Sequence, residues 1–278
     1  MLLYRLRAFL GSRVNAWIGV LLIVALVLAA LIGMIGTPHD PLVPDFRARL
    51  AAPGEGYLLG TDQFGRDVLS RMLIGARESL AIAALSAGLA VFLGVLIGAT
   101  SSFFGGWPDR IVSACLDALM AFPGLLLAMA IIAVIGPGKY GVIFALSLAY
   151  TPAVVRVVRS AVLSIREREY VDASRALGNG DLVTIVRHVI PNCVGPLTVM
   201  GSSLFASALL SESALSFLGI GVPPPYPTWG GMLADARQFA GSAPWLVVAP
   251  GVAISATLLG ANMLGDALRD FFDPRMER

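Results

Sequence analysis

REREYVDASRALGNGDLVTIVRHVIPN, residues 166–192, is the long polar interruption in an otherwise strongly apolar chain, and it carries a helical pattern of its own. Glu169, Asp172 and Arg175 recur every three positions, which puts them on one helical face. On that face Arg168 and Arg175 are both within pairing distance of Asp172. Gly178-Asn179-Gly180 then stops the helix, because glycine accepts the left-handed backbone that a helix end needs. Asp181 is placed to cap a second helix. Leu182, Ile185, Val186, Val189 and Ile190 form an apolar stripe along it, with Thr184 and Arg187 opposite, and Pro191 is expected to end it. The stretch therefore reads as helix, glycine turn, helix, set between two membrane segments.

Composition supports the membrane setting. The chain of 278 residues is 57% hydrophobic and 14% charged, with mean hydropathy +0.80, whereas soluble domains carry about 25% charged residues. A net charge of +2 gives no basis for binding nucleic acid. Cys115 and Cys193 sit in or beside apolar runs without metal or redox spacing and read as small core residues.

Six uncharged or nearly uncharged runs are long enough to span a bilayer: 14–36, 79–107, 111–135, 140–155, 193–218 and 245–264. The first has too long an apolar core for a cleaved leader and reads as an uncleaved helix. The fourth is expected to gain a turn, with Arg156 and Arg159 snorkelling to the interface. Between the first two runs, residues 37–78 are rich in Pro and Gly. There Leu59–Asp67 reads as a turn, with Thr61 or Asp62 capping a short surface helix over Val68–Arg77. Val222–Pro227 reads as a stiff exit from the fifth span, and Trp229 as a headgroup-level anchor. An even span count puts both termini on one side. Arg5, Arg7, Arg13, Arg110, Arg156, Arg159 and the arginines of 166–192 then share that side with Arg269, Arg275 and Arg278. This bias predicts cytoplasmic termini and a cytoplasmic 166–192 stretch.

Two acids fall inside spans, where an unpaired charge costs about 2.5–3.5 kcal/mol and usually faces protein or a water-filled cavity. Asp117 reads as a helix–helix contact. Glu212, among Ser211, Ser213 and Ser216, reads either as lining a pathway or as the centre of a hydrogen-bond network. The sequence also excludes chemistry. Lys139 is the only lysine, Ala133 stands where a phosphate-binding loop has its first Gly, and Tyr140 stands where it has Ser or Thr. His39 and His188, the only histidines, fall on opposite sides of the membrane, so no two-histidine metal site and no well-placed Ser-His-Asp triad forms.

Asp172-Ala173-Ser174, Gly178 and His188-Val189-Ile190-Pro191 keep the spacing of the loop that marks permease subunits of bacterial ABC importers. They depart from its usual residues at Asp172, Ser174, His188 and Ile190. With Leu59–Asp67, Phe103–Trp107, Ser211–Gly219, Trp229-Gly230 and Gly265–Arg275, the chain resembles the dipeptide/oligopeptide/nickel permease family, in particular its C-type subunit. The resemblance implies an all-α polytopic fold of the type I importer class: six transmembrane helices with a cytoplasmic coupling-helix loop. It divides the chain into a cytoplasmic N-terminus and first helix (1–36), an extracytoplasmic segment (37–78), a permease core (79–270) containing the 166–192 loop, and a cytoplasmic tail (271–278). It further implies that Glu169, Asp172, Ala173, Ser174, Arg175, Gly178 and Pro191 couple to an ATPase, and that Glu212, Ser213 and Ser216 are candidates for the substrate pathway.

The implied partners are a homologous B-type permease, two ATP-binding subunits, an extracytoplasmic substrate-binding protein and membrane lipid. No cofactor is expected on this chain; ATP and Mg belong to the partner ATPases. The implied cargo is di- or oligopeptides, with nickel or a metal–chelator complex as the alternative, and the implied location is the bacterial inner membrane. A proton-coupled secondary transporter is the rival from another class, but that design shows internal repeats and none is evident here.

Overall fold

The computed structural model describes residues 14–54 and 56–272. Arg5, Arg7, Arg13, Arg275 and Arg278, on which the reading of the termini partly rests, lie outside the described residues. The helices in chain order are α1 (Val14–Ile35), α2 (Val68–Phe104), α3 (Gly106–Met120), α4 (Gly124–Ile135), α5 (Lys139–Ile165), α6 (Glu169–Ala176), α7 (Asp181–Thr184), α8 (Val194–Phe217), α9 (Trp229–Ala236) and α10 (Trp245–Phe272). Five of the described helices are long and apolar enough to cross a membrane, and the spans number six if the bent pair α3–α4 counts as one. The expected all-α membrane architecture is therefore present.

Helices α2 and α5 form the centre, α8 packs on both, and α10 packs on α8 and α1. Small residues let α2 and α5 approach closely, as packing between membrane helices requires. Gly94 faces Val154 and Gly98 faces Val158. Ala87, Ala90, Val154, Val158 and Leu204 are buried in the seam where α2, α5 and α8 meet.

The structure corrects several expected boundaries. Val68–Arg77 is not a separate surface helix; it is the first turns of α2. The cap is Asp67, whose Oδ2 accepts from the Ser70 amide at 3.0 Å and from the Ser70 hydroxyl at 2.6 Å. Thr61 and Asp62 instead build the preceding turn. Thr61 Oγ1 accepts from the Ala51 amide at 2.8 Å, and Asp62 Oδ1 accepts from the amides of Phe64 at 2.8 Å and Arg66 at 3.0 Å. The polar start of α2 can be buried because Arg71 lies 3.5 Å from Asp62 and 3.5 Å from Asp235.

The third span, read as one helix over 111–135, bends by 94° between α3 and α4. Pro123 sits at the break; it lacks an amide hydrogen and disfavours helical backbone at Phe122. The fourth span runs on to Ile165. Arg156 and Arg159 do not simply snorkel there, because acids of α3 meet them. Trp229 is not a headgroup anchor either: it is 1% exposed, and its Nε1 donates to the Met72 carbonyl at 3.2 Å.

Candidate functional site

The 166–192 stretch folds as a compact unit at one end of α2 and α5. Gly178 adopts φ +83°, the left-handed position expected of it. The ion pairs differ from expectation: Arg175 Nε lies 3.7 Å from Asp181 Oδ1 across the glycine turn, so Arg175 pairs with Asp181 and not with Asp172. Asp181 is consequently not a cap. Gly180 holds that position and makes no side-chain cap bond. Pro191 does not end the second helix. The chain widens into a π-helical turn at Ile185–Val189, tightens to 3-10 geometry at Ile190–Cys193 and continues into α8. The missing amide of Pro191 is accommodated by that change of pitch.

The apolar stripe also divides. Ile185 and Val189 are buried with Val171 and Cys193 against Phe103 of α2 and Val162 of α5. Thr184, expected on the opposite face, is buried, and its hydroxyl lies 3.1 Å from that of Ser174. Asn179 Nδ2 donates to Ser174 Oγ at 3.2 Å. Ser174 therefore ties the two arms together from inside. Tyr170, Leu177, Leu182, Val183 and Val186 are exposed, and Glu169, Asp172, Ala173, Arg175, Gly178 and Pro191 share that exposure. The outer face of the unit is thus apolar at its tip and charged on the α6 side. Such a face suits a protein groove.

The second cluster centres on Glu212 of α8, which is fully buried. Ser216 Oγ donates to Glu212 Oε1 at 2.8 Å and Ser213 Oγ to Oε2 at 3.5 Å. The hydroxyls of Thr228 and Ser79 reach the same carboxyl. Ser79 Oγ in turn accepts from the Trp229 amide at 3.1 Å. One side chain so gathers α8, α2 and the start of α9. Glu212, Ser213 and Ser216 come together as expected, whereas Ser79 and Thr228 carried no sequence signal for joining them.

The third cluster fastens α3 to α5. Arg159 donates from Nε to Asp109 Oδ1 at 2.9 Å and from Nη2 to Oδ2 at 2.7 Å. Arg156 Nη2 reaches Asp117 Oδ1 at 2.9 Å. The expected helix–helix contact of Asp117 is present, with Arg156 as its partner. Asp109 was missed because a helix-start acid ordinarily reads as a dipole partner.

Comparisons with known proteins agree with this geometry. The family model for the binding-protein-dependent transport system inner membrane component matches residues 90–278. A putative peptide transport system permease protein of Brucella suis is 44% identical over 260 residues, covering 94% of this chain and 88% of that protein. The dipeptide transport system permease protein of Alkalihalophilus pseudofirmus is 38% identical, covering 94% of this chain and 86% of that protein. A glutathione transport system permease protein of Pectobacterium atrosepticum is 38% identical over 81% of this chain and 75% of its own length. Among solved structures, the inward-facing MetNI methionine ABC transporter superposes with TM-score 0.56 at 17% identity, covering 71% of this chain and 96% of that one. That likeness is one of fold.

Proposed function

Because the chain belongs to the family of binding-protein-dependent transport system inner membrane components, we propose that it forms half of the translocation pathway of an ATP-driven importer of di- and oligopeptides. The cargo reading is supported by relatives named for peptide, dipeptide and glutathione transport that align along most of the chain. The observation that carries the coupling role is the 166–192 unit. It is anchored through Val171, Ile185 and Val189 to the ends of α2 and α5, and it leaves Leu177, Leu182 and Val186 exposed at its tip. A unit packed this way moves as one body with the spans behind it.

In this reading both termini and the 166–192 unit lie in the cytoplasm, in accord with the arginine distribution. The partners are a homologous B-type permease, two ATP-binding subunits and an extracytoplasmic binding protein. The lack of a phosphate-binding loop pattern around Lys139 supports placing ATP hydrolysis on the partners, and in this reading the chain itself breaks no bonds. Closure of the ATPases on ATP pushes the coupling units, and the spans open outward to receive cargo from the binding protein. Glu212 is read as the fastener of α8 to α2 that keeps those spans in register during the motion.

Reconstitution tests the assignment. The purified complex in proteoliposomes should show ATP hydrolysis stimulated by the binding protein loaded with a dipeptide, together with uptake of that dipeptide. Uptake without ATP, driven by a proton gradient, would overturn it.

A further inference from the structure

A cavity of ≈ 470 Å³ lies where the start of α2, the start of α5 and the segment after α8 meet, within the ~300–1,000 Å³ usual for small-ligand sites. Its lining includes the charged residues Arg77, Glu78 and Lys139 and the apolar or aromatic residues Ile74, Tyr140 and Tyr226. None of these residues belongs to the coupling unit or to the Glu212 cluster.

Glu78 is 8% exposed. Lys139 Nζ lies 2.7 Å from its Oε2, and Arg77 Nε lies 3.8 Å from its Oε1. Two cations thus share one carboxylate, leaving one positive charge at the cavity. Neither cation is saturated: an ammonium carries three donors and a guanidinium five. The Arg77 and Lys139 side chains remain 48% and 32% exposed. One unneutralised positive charge, an unfilled guanidinium fork and two lining tyrosines together suit a monoanionic group attached to an apolar body.

We propose that this cavity is a subsite for the free carboxylate end of a peptide, held by Arg77 and Lys139, with the terminal side chain against Tyr140 and Tyr226. The inference rests on the peptide-importer reading and on its orientation, which puts the cavity at the outer mouth of the spans. There a released peptide would first meet this chain. An anionic lipid headgroup offers the same chemistry, and the test separates the two sources.

The assembled complex, without binding protein and in phosphatidylcholine nanodiscs, is titrated with Ala-Phe and with its C-terminal amide by saturation-transfer NMR. The acid should bind and the amide should bind about tenfold more weakly, the loss expected for one charge-assisted contact. Arg77→Gln, which leaves the Glu78–Lys139 pair intact, should weaken the acid by about the same factor, and Lys139→Arg should hold it within about threefold. Equal binding of acid and amide, or no binding to the unaltered complex, would overturn the subsite without any variant. So would unchanged binding in Arg77→Gln. If phosphatidylglycerol in the disc abolishes Ala-Phe binding, and native mass spectrometry shows that lipid retained by the unaltered complex but lost from Arg77→Gln, the site belongs to lipid and the proposal fails. Uptake of Ala-Phe and of a panel of other di- and oligopeptides is measured in parallel with binding protein and ATP. Uptake alongside a failed binding test sinks the subsite alone, whereas no uptake of any peptide sinks the importer reading and the subsite with it.

Discussion

The guanidinium of Arg175 lies over the ring of Phe103, 4.8 Å from its centroid. Arg175 belongs to the exposed unit of the 166–192 stretch and Phe103 to the last turn of α2, so this contact joins the proposed coupling surface to the longest of the described helices. The same arginine reaches Asp181 across the glycine turn, which closes the unit on itself.

A double-mutant cycle measures that link. Arg175→Gln should lower the stability of the complex by roughly 0.5–1 kcal/mol, the value of a partly exposed cation–π contact. In a Phe103→Leu background the same change should cost about that much less, because the ring is gone and only the exposed Asp181 pair is lost. Thermal unfolding of the detergent-solubilised complex gives the two differences. Strict additivity would show that the contact carries no energy.

Gly94 governs a different link. A Cβ placed there would stand 2.4 Å from the Val154 Cβ, a separation that real side chains do not allow. Gly94→Val should therefore push α2 away from α5 and destabilise by about 1–3 kcal/mol, as overpacking of a tight core does. Gly88, on the same helix, has nothing within 4 Å of its own Cβ position. Gly88→Ala should leave the melting temperature unchanged. If the two variants behave alike, the close approach of the helices is not what stabilises this pair.

Glu212→Ala removes the acceptor of Ser216 and leaves buried hydroxyls around a void. Each donor left without a partner costs about 1–3 kcal/mol, so the variant should assemble poorly. Glu212→Gln keeps an acceptor oxygen and the shape, and should assemble with near-normal stability and normal uptake. A stable, fully assembled Gln variant with sharply reduced uptake would instead place the charge in the substrate pathway.

The sequence made the spans legible where apolar runs were long and uninterrupted, as in α1 and α10. It misled where tertiary pairing overrode local pattern. The run before Ser79 looked interfacial because Arg71 and Glu78 are charged, yet Asp62 in the preceding turn, and Asp235 and Lys139 from distant parts of the chain, pair with those charges. The break between α3 and α4 had a visible signal in Pro123, but the apolar run on either side outweighed it. In the 166–192 stretch Gly178 was readable because only backbone conformation is at issue there. The pairing of Arg175 was not, since Asp181 and Asp172 are both within reach on sequence and only the fold of the turn selects between them. The hydroxyl shell of Glu212 was half readable: Ser213 and Ser216 are its helical neighbours, while Ser79 and Thr228 arrive from other elements.

Gly178 provides the sharpest test of the coupling unit. Its φ of +83° puts a β-branched residue under strain of roughly 1–2 kcal/mol, yet nothing lies within 4 Å of the position its Cβ would take. A substitution there acts through backbone conformation and not through collision. Gly178→Val should therefore re-aim α7 relative to α6, whereas Gly178→Asn, which tolerates the left-handed region, should be nearly silent. In the Val variant, ATP hydrolysis stimulated by loaded binding protein and peptide uptake should fall together, and the ATPase should wash off more readily, with the permease still inserted. Cysteines show directly what the unit touches. Ser174 is a poor reporter because it is buried between the two arms, while Leu177 and Leu182 stand 83% and 67% exposed at the tip. Leu177→Cys and Leu182→Cys should crosslink to the ATPase in the resting complex. An active, assembled complex in which neither position crosslinks, with Gly178→Val coupled as well as Gly178→Asn, would mean that the unit lies on the lipid surface and transmits nothing.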